Sequence, residues 1–117
     1  MKIGNISIGN DKPLAVMAGP CAMESLDHAL FMAEHLKNLS VKFNIPLIYK
    51  SSFDKANRTS LKGKRGAGLD ASLPVFDKIK KEFDIPILTD IHNIEQCSIV
   101  SSHVDVLQIP AFLCRQT

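Results

Sequence analysis

Phe43-Asn44-Ile45-Pro46-Leu47-Ile48 and, farther along, Phe83-Asp84-Ile85-Pro86-Ile87-Leu88 follow one pattern: an aromatic residue, Asn or Asp, Ile-Pro, then an apolar run. Proline lacks the amide hydrogen that a helix interior requires, so each copy closes a helix and opens a strand. The flanking residues agree. Ser25 is placed as a cap, and Leu30, Ala33, Leu36, Leu39 and Phe43 recur near helical spacing, which predicts a helix over Leu26 to Phe43. Asp70-Ala71-Ser72-Leu73 starts a second helix through Phe83, with Val75, Phe76, Ile79 and Phe83 on one side. The apolar runs that follow reach Tyr49 and Asp90 and read as strands.

Upstream, Leu14-Ala15-Val16-Met17-Ala18 is a short apolar run broken by Gly19-Pro20. Asn5-Ile6-Ser7-Ile8-Gly9-Asn10 alternates and ends in turn formers, predicting a small hairpin within residues 1–12. Downstream, a shorter helix is expected over Ile94 to Ser101 and a further strand over Val104 to Ile109, stopped by Pro110. Strands and helices thus alternate, and continuous apolar strands in that order mean an α/β fold with a parallel sheet covered by helices. Right-handed crossovers leave two architectures, an open doubly wound sheet or part of a closed (β/α)8 TIM barrel. A barrel takes about 250 residues. On the barrel reading, residues 13–117 are its N-terminal part, about four βα units and less than half of the whole barrel.

At 117 residues the chain is expected to form a single domain, residues 1–117, with a core of its own. The net charge of +2 and the absence of tryptophan argue against a nucleic-acid partner. No apolar run approaches the roughly 18 residues that span a bilayer, and Met1 to Lys12 lacks a signal-peptide core, so the expectation is a cytoplasmic protein with no membrane partner. Cys21, Cys97 and Cys114 are odd in number and contain no CxxC, which offers neither a disulfide framework nor a complete zinc site.

In either architecture chemistry belongs at the C-terminal ends of the parallel strands. Gly19, Pro20, Cys21, Glu24 and Ser25 follow the first strand of the alternation. Lys50, Ser52, Asp54, Lys55, Asn57 and Arg58 follow the second, Asp90 and His92 the third, and Gln108 and Arg115 the fourth. From Lys50 to Arg65 there are six basic residues and one acid, Asp54. Lys50 alone reads as a snorkelling surface group, a Schiff-base nucleophile or an anion clamp; Lys55 and Arg58 beside serine hydroxyls favour a clamp for phosphate or carboxylate. Lys62 and Lys64 read as a solvated flank, and Gly63, Gly66 and Gly68 form no nucleotide loop. Asp90-Ile91-His92 is either a helix cap with a surface histidine or a pair that orients hydroxyls and carries protons. Cys21 is either a buried thiol in a plain turn or a thiolate at a cationic rim that could bind metal. Cys97 and Cys114 read as structural.

Five segments carry a resemblance. Ala18-Gly19-Pro20-Cys21-Ala22-Met23-Glu24-Ser25, Lys50-Ser51-Ser52-Phe53-Asp54-Lys55-Ala56-Asn57-Arg58-Thr59-Ser60, Arg65-Gly66-Ala67-Gly68-Leu69, Thr89-Asp90-Ile91-His92 and Gln108-Ile109-Pro110-Ala111-Phe112-Leu113-Cys114-Arg115-Gln116-Thr117 occur in that order. Together they resemble the N-terminal part of the 3-deoxy-D-manno-octulosonate 8-phosphate synthases, also called 2-dehydro-3-deoxyphosphooctonate aldolases. The Gly-Pro-Cys element is shared with the related synthase that opens aromatic amino-acid biosynthesis. The Lys-Ala-Asn-Arg segment is more specific. Ser51 and Thr59 depart from the usual residues without touching a charged group.

The resemblance implies a (β/α)8 barrel with an N-terminal hairpin closing its bottom, commonly a homotetramer. It implies condensation of phosphoenolpyruvate with arabinose 5-phosphate, with release of phosphate, in lipopolysaccharide precursor synthesis. Lys50 and Ser52 would hold phosphoenolpyruvate, while Lys55, Asn57, Arg58 and Thr59 would face the sugar phosphate. Asp90, His92, Gln108 and Arg115 would line the same pocket, and Lys50, Lys55, Asn57 and Asp90 would be the catalytic set. Within the family, cysteine at the place of Cys21 marks the class that uses a divalent cation such as Zn, Fe or Mn. The other family ligands, a histidine, a glutamate and an aspartate, belong to later strands, so these 117 residues alone are expected to be inactive. The competing readings are a non-catalytic remnant or split piece, a Schiff-base aldolase acting through Lys50, and a small signalling receiver, which lacks the acid pair its chemistry would need after the first strand.

Overall fold

The computed structural model describes residues 1–54 and 67–115. Both proline-marked junctions end helices in the same way. Helix α1 (Leu26–Phe43) is capped at its start by Ser25, whose hydroxyl accepts from the His28 amide at 3.1 Å. It ends on Asn44 at φ 52°, whose N–H reaches back to Ser40 and Val41 carbonyls. Helix α2 (Leu69–Phe83) ends on Asp84 at φ 49°, donating to the Lys80 carbonyl. Asn and Asp tolerate this left-handed conformation better than other residues with a side chain, and the Ile-Pro that follows sends the backbone out extended.

The remaining elements are β1 (Lys2–Ile3), β2 (Ile6–Ser7), β3 (Val16–Ala18), β4 (Leu47–Lys50), β5 (Ile87–Asp90), α3 (Glu95–Ser101), β6 (Val106–Gln108) and α4 (Ala111–Cys114). Strands β1 and β2 pair antiparallel, and β3, β4, β5 and β6 form a parallel sheet in chain order. The turn between β1 and β2 sits at Gly4, where φ is 55°, and not at Gly9-Asn10 where the alternation ends. Strand β6 is shorter than Val104 to Ile109, and Asp105 just before it reaches β5 with backbone and side chain together, its amide donating to the Ile87 carbonyl at 2.9 Å. One carboxylate oxygen accepts from the Ile87 amide at 2.8 Å and the other from Lys80 Nζ at 3.2 Å, tying the start of β5 to α2.

Alternate residues of each strand face different layers. On one face Leu47, Tyr49 and Ile87 pack with Ala29 and Ala33 of α1, Phe76 and Ile79 of α2, and Val100 of α3. On the other, Ile48 and Leu88 meet Ile3 and Ile6 of the hairpin. The three longest described helices thus share one face, with the hairpin on the opposite one. Tyr49 is fully buried, and loss of water raises its phenol pKa to about 12. The nearby Ser51 tempers that rise, although neither hydroxyl meets a partner in good hydrogen-bond geometry.

The apolar stripe of α1 is only partly covered. Ala29 and Ala33 are buried, but Leu39 is 46% exposed and Phe43 59% exposed. They line a groove of about 250 Å³ with Val16, Ala18, Leu36 and Leu47, along the side of β3 that pairs with no strand among the described residues. Helical spacing shows which side of a helix is apolar; whether a neighbour covers it is a tertiary matter.

Candidate active site

The C-terminal ends of the parallel strands are drawn together by close backbone approach. A Cβ on Gly19 would stand 1.7 Å from the Lys50 carbonyl oxygen, so only glycine lets the segment after β3 cross the end of β4. Beyond it Ala22 bridges Ser52, and the Met23 amide donates to the Ser52 carbonyl at 2.8 Å. The Thr89 hydroxyl donates to the Ser51 carbonyl at 2.7 Å, and the Ile91 amide to the Gln108 carbonyl at 3.0 Å. Each strand end is thereby fixed to the next.

Around this rim Cys21, Lys50, Ser52, Asp90, His92, Gln108 and Arg115 line a single cavity of about 470 Å³. Every described residue that the resemblance assigns to substrate or metal is among them, whereas Glu24 and Asp54, also at strand ends, are not. Lys55, Asn57, Arg58 and Thr59 lie outside the described residues. On the far side of that segment, the Ala67 amide donates to Met23 O at 2.8 Å and the Gly68 amide to Phe53 O at 2.9 Å, returning the backbone to the rim.

Asp90 and His92 form a pair. His92 Nε2 lies 2.9 Å from Asp90 Oδ2, and both side chains are mostly buried, at 14% and 13% exposure. An ionised carboxylate only accepts, so Nε2 carries the shared hydrogen. The imidazole also meets the buried Phe53 ring in a T-shaped contact, centroids 5.4 Å apart. Asp90 Oδ1 is buried and has no partner among the described residues, an acceptor that a bound donor would satisfy. Among the described residues Lys50 and Arg115 take part in no ion pair, so their charge is available to a bound anion.

Cys21 is exposed at this cavity. Among the described residues, however, no three His, Cys, Asp or Glu side chains gather as a metal would require. These residues do not by themselves fit a metal centre.

Sequence reasoning missed Phe53, Gln96 and the wall formed by Pro110, Ala111 and Phe112. Phe53 carries no local signal, since its role comes from a contact with another loop. Gln96 does carry one: it stands three residues after Asn93, the spacing of a reciprocal helix cap.

A parallel α/β sheet that gathers cationic side chains and a carboxylate–imidazole pair on one rim has the layout in which α/β enzymes place their active sites. The profile of the DAHP synthetase I family matches residues 1–117, and the chain belongs to that family. It is 62% identical over 117 residues to the 2-dehydro-3-deoxyphosphooctonate aldolase of Brucella canis, covering 100% of this chain and 42% of that relative. Identity is 61% to the protein of the same name from Brucella ovis and 59% to that from Bartonella tribocorum, with the same coverage. The chain therefore spans 42% of the length of these curated relatives. No helix among the described residues is long and apolar enough to cross a membrane.

Proposed function

We propose that this chain is the front portion of a synthase that joins phosphoenolpyruvate to arabinose 5-phosphate, yielding 3-deoxy-D-manno-octulosonate 8-phosphate and inorganic phosphate. The carrying observation is the single cavity shared by Lys50, Ser52, Asp90, His92, Gln108 and Arg115, in a chain 62% identical to a protein named for that product. Packing of α1, α2 and α3 on one face supports a partial (β/α)8 barrel over a doubly wound sheet, which places helices on both faces.

Both substrates are anions, and their repulsion must be offset before carbon 3 of phosphoenolpyruvate reaches the aldehyde. Lys50 and Ser52 would hold phosphoenolpyruvate, and Arg115 adds positive charge at the same mouth. Fixed cations and oriented reactants can remove about 7–11 kcal/mol of barrier in favourable cases. Asp90 Oδ1 is suited to accept from a ligand hydroxyl, and the adjacent His92 keeps the other carboxylate oxygen occupied. Lys55, Asn57, Arg58 and Thr59 would face the sugar phosphate. Water adds at carbon 2 and phosphate leaves the tetrahedral intermediate, a path with no Schiff base in which Lys50 acts as a charge.

Cys21 would supply one thiolate to a divalent cation, such as Zn, Fe or Mn, whose other donors lie outside these residues. A cytoplasmic homotetramer serving lipopolysaccharide precursor synthesis completes the proposal.

Phosphate release in the presence of phosphoenolpyruvate, arabinose 5-phosphate and divalent metal tests the reading. The 117 residues alone are expected to give none, and turnover is expected once the remaining length of a relative is supplied in trans or fused. Continued silence of the completed protein would favour the non-catalytic remnant and overturn the proposal.

A further inference from the structure

The loop that carries His92 is closed by a side chain with no contact to the cavity. Gln96, in the first turn of α3, sends its carbonyl oxygen back to accept from the His92 backbone amide at 2.8 Å. Its own backbone amide donates to Asn93 Oδ1 at 3.0 Å. A capping box would return the Gln side chain to the amide of the cap residue itself. Here it reaches one residue farther and grips His92.

That displacement matters for the site. His92 is held at its backbone by Gln96, at its ring by Phe53 and at Nε2 by Asp90 Oδ2, 2.9 Å away. With Oδ2 so occupied, Oδ1 is the oxygen of Asp90 left without a partner among the described residues. Without the Gln96 contact, the His92 backbone amide loses the one side-chain acceptor it has among the described residues, and the imidazole loses one of its three restraints. The carboxylate of Asp90 then rotates more freely about its last torsion, which is broad for a terminal carboxylate.

We propose that Gln96 is a positioning residue: through His92 it determines which oxygen of Asp90 is presented to a ligand hydroxyl. The functional consequence rests on the cavity binding the phosphorylated substrates, whereas the positioning itself does not. Gln96→Met keeps length and removes the acceptor; Gln96→Glu keeps the acceptor.

The test is ¹⁵N imidazole spectroscopy of the full chain labelled at histidine. In the parent protein and in Gln96→Glu, the His92 nitrogens should report one tautomer with the hydrogen on Nε2. In Gln96→Met they should move toward the averaged values of a free imidazole. Asn93→Ala removes the other half of the cap without touching the His92 amide and should leave the ring signals in place. Coincident His92 signals in Gln96→Met and parent would overturn the proposal, as would an equal shift in Asn93→Ala, which would mark a general loosening of α3. In the completed, active protein, kcat/KM should fall about tenfold with Gln96→Met, as for one lost hydrogen bond, and recover with Gln96→Glu. Because the spectroscopic result needs no turnover, failure of the condensation itself would tell against the proposed function alone.

Discussion

His92 Nε2 and Asp90 Oδ2 stand 2.9 Å apart, although their residues are separated by only one position at the end of β5. Ile91 between them turns into the core at 8% exposure, which leaves its two neighbours on the cavity side. If the pair acts as a unit, Asp90→Asn and His92→Ala should each lower kcat/KM of the completed enzyme by about 10–100-fold, the range for a hydrogen bond to a charged group. The double variant should be little worse than either single one, because coupled residues are not additive. Simple additivity in steady-state kinetics would show that the two side chains act independently.

Lys50 leaves the sheet at the end of β4 with no ion-pair partner among the described residues. Lys50→Met should weaken phosphoenolpyruvate binding by about 10–100-fold in titration calorimetry, and Lys50→Arg should recover part of it. Borohydride treatment with pyruvate should leave the mass of Lys50-containing peptides unchanged. A stable adduct there would favour the Schiff-base aldolase instead.

Gly19→Ala is expected to be far more harmful than a one-carbon change suggests. The added Cβ would stand 1.7 Å from a backbone carbonyl, which cannot swing aside as a side chain could. Thermal denaturation should show a loss of at least about 3 kcal/mol or failure to fold. A variant with parent-like stability would mean that the segment after β3 does not cross β4 so closely.

The buried phenol of Tyr49 makes stability fall at high pH. Burial raises its folded pKa to about 12 from the ordinary 10.0. Below the lower value both folded and unfolded chains keep the proton and the group has no effect. Above it the unfolded chain releases the proton first, so stability drops as pH climbs toward the folded pKa, by on the order of 2 kcal/mol. Urea titrations between those pH values should show this slope in the parent, and Tyr49→Phe should flatten it. An unchanged slope in Tyr49→Phe would assign the effect to other groups.

Much of this arrangement is legible in the sequence alone. Phe-Asn-Ile-Pro and Phe-Asp-Ile-Pro mark helix ends because Asn44 and Asp84 take left-handed φ values of 52° and 49°, a local preference that sequence carries directly. Cys21, Lys50, Asp90 and Gln108 could be assigned to one rim because parallel strands all end on the same side. Other features depend on distant partners. Phe43 belongs to the α1 stripe yet is exposed, and Phe53 gains its meaning only where the β5 loop brings His92 against it. The early turn of the hairpin falls at Gly4, where φ is 55°, a position that the alternation from Asn5 onward does not mark.

The spatial order β3-β4-β5-β6 is also the order of synthesis. Each strand finds its parallel neighbour in the one made just before it, with a helix between to cover the joint. The sheet can therefore be laid down from front to back as the nascent chain leaves the ribosome, each unit templating the next. The newest strand is at every stage the edge against which its successor pairs, so no step of the β3-to-β6 order waits on a distant segment.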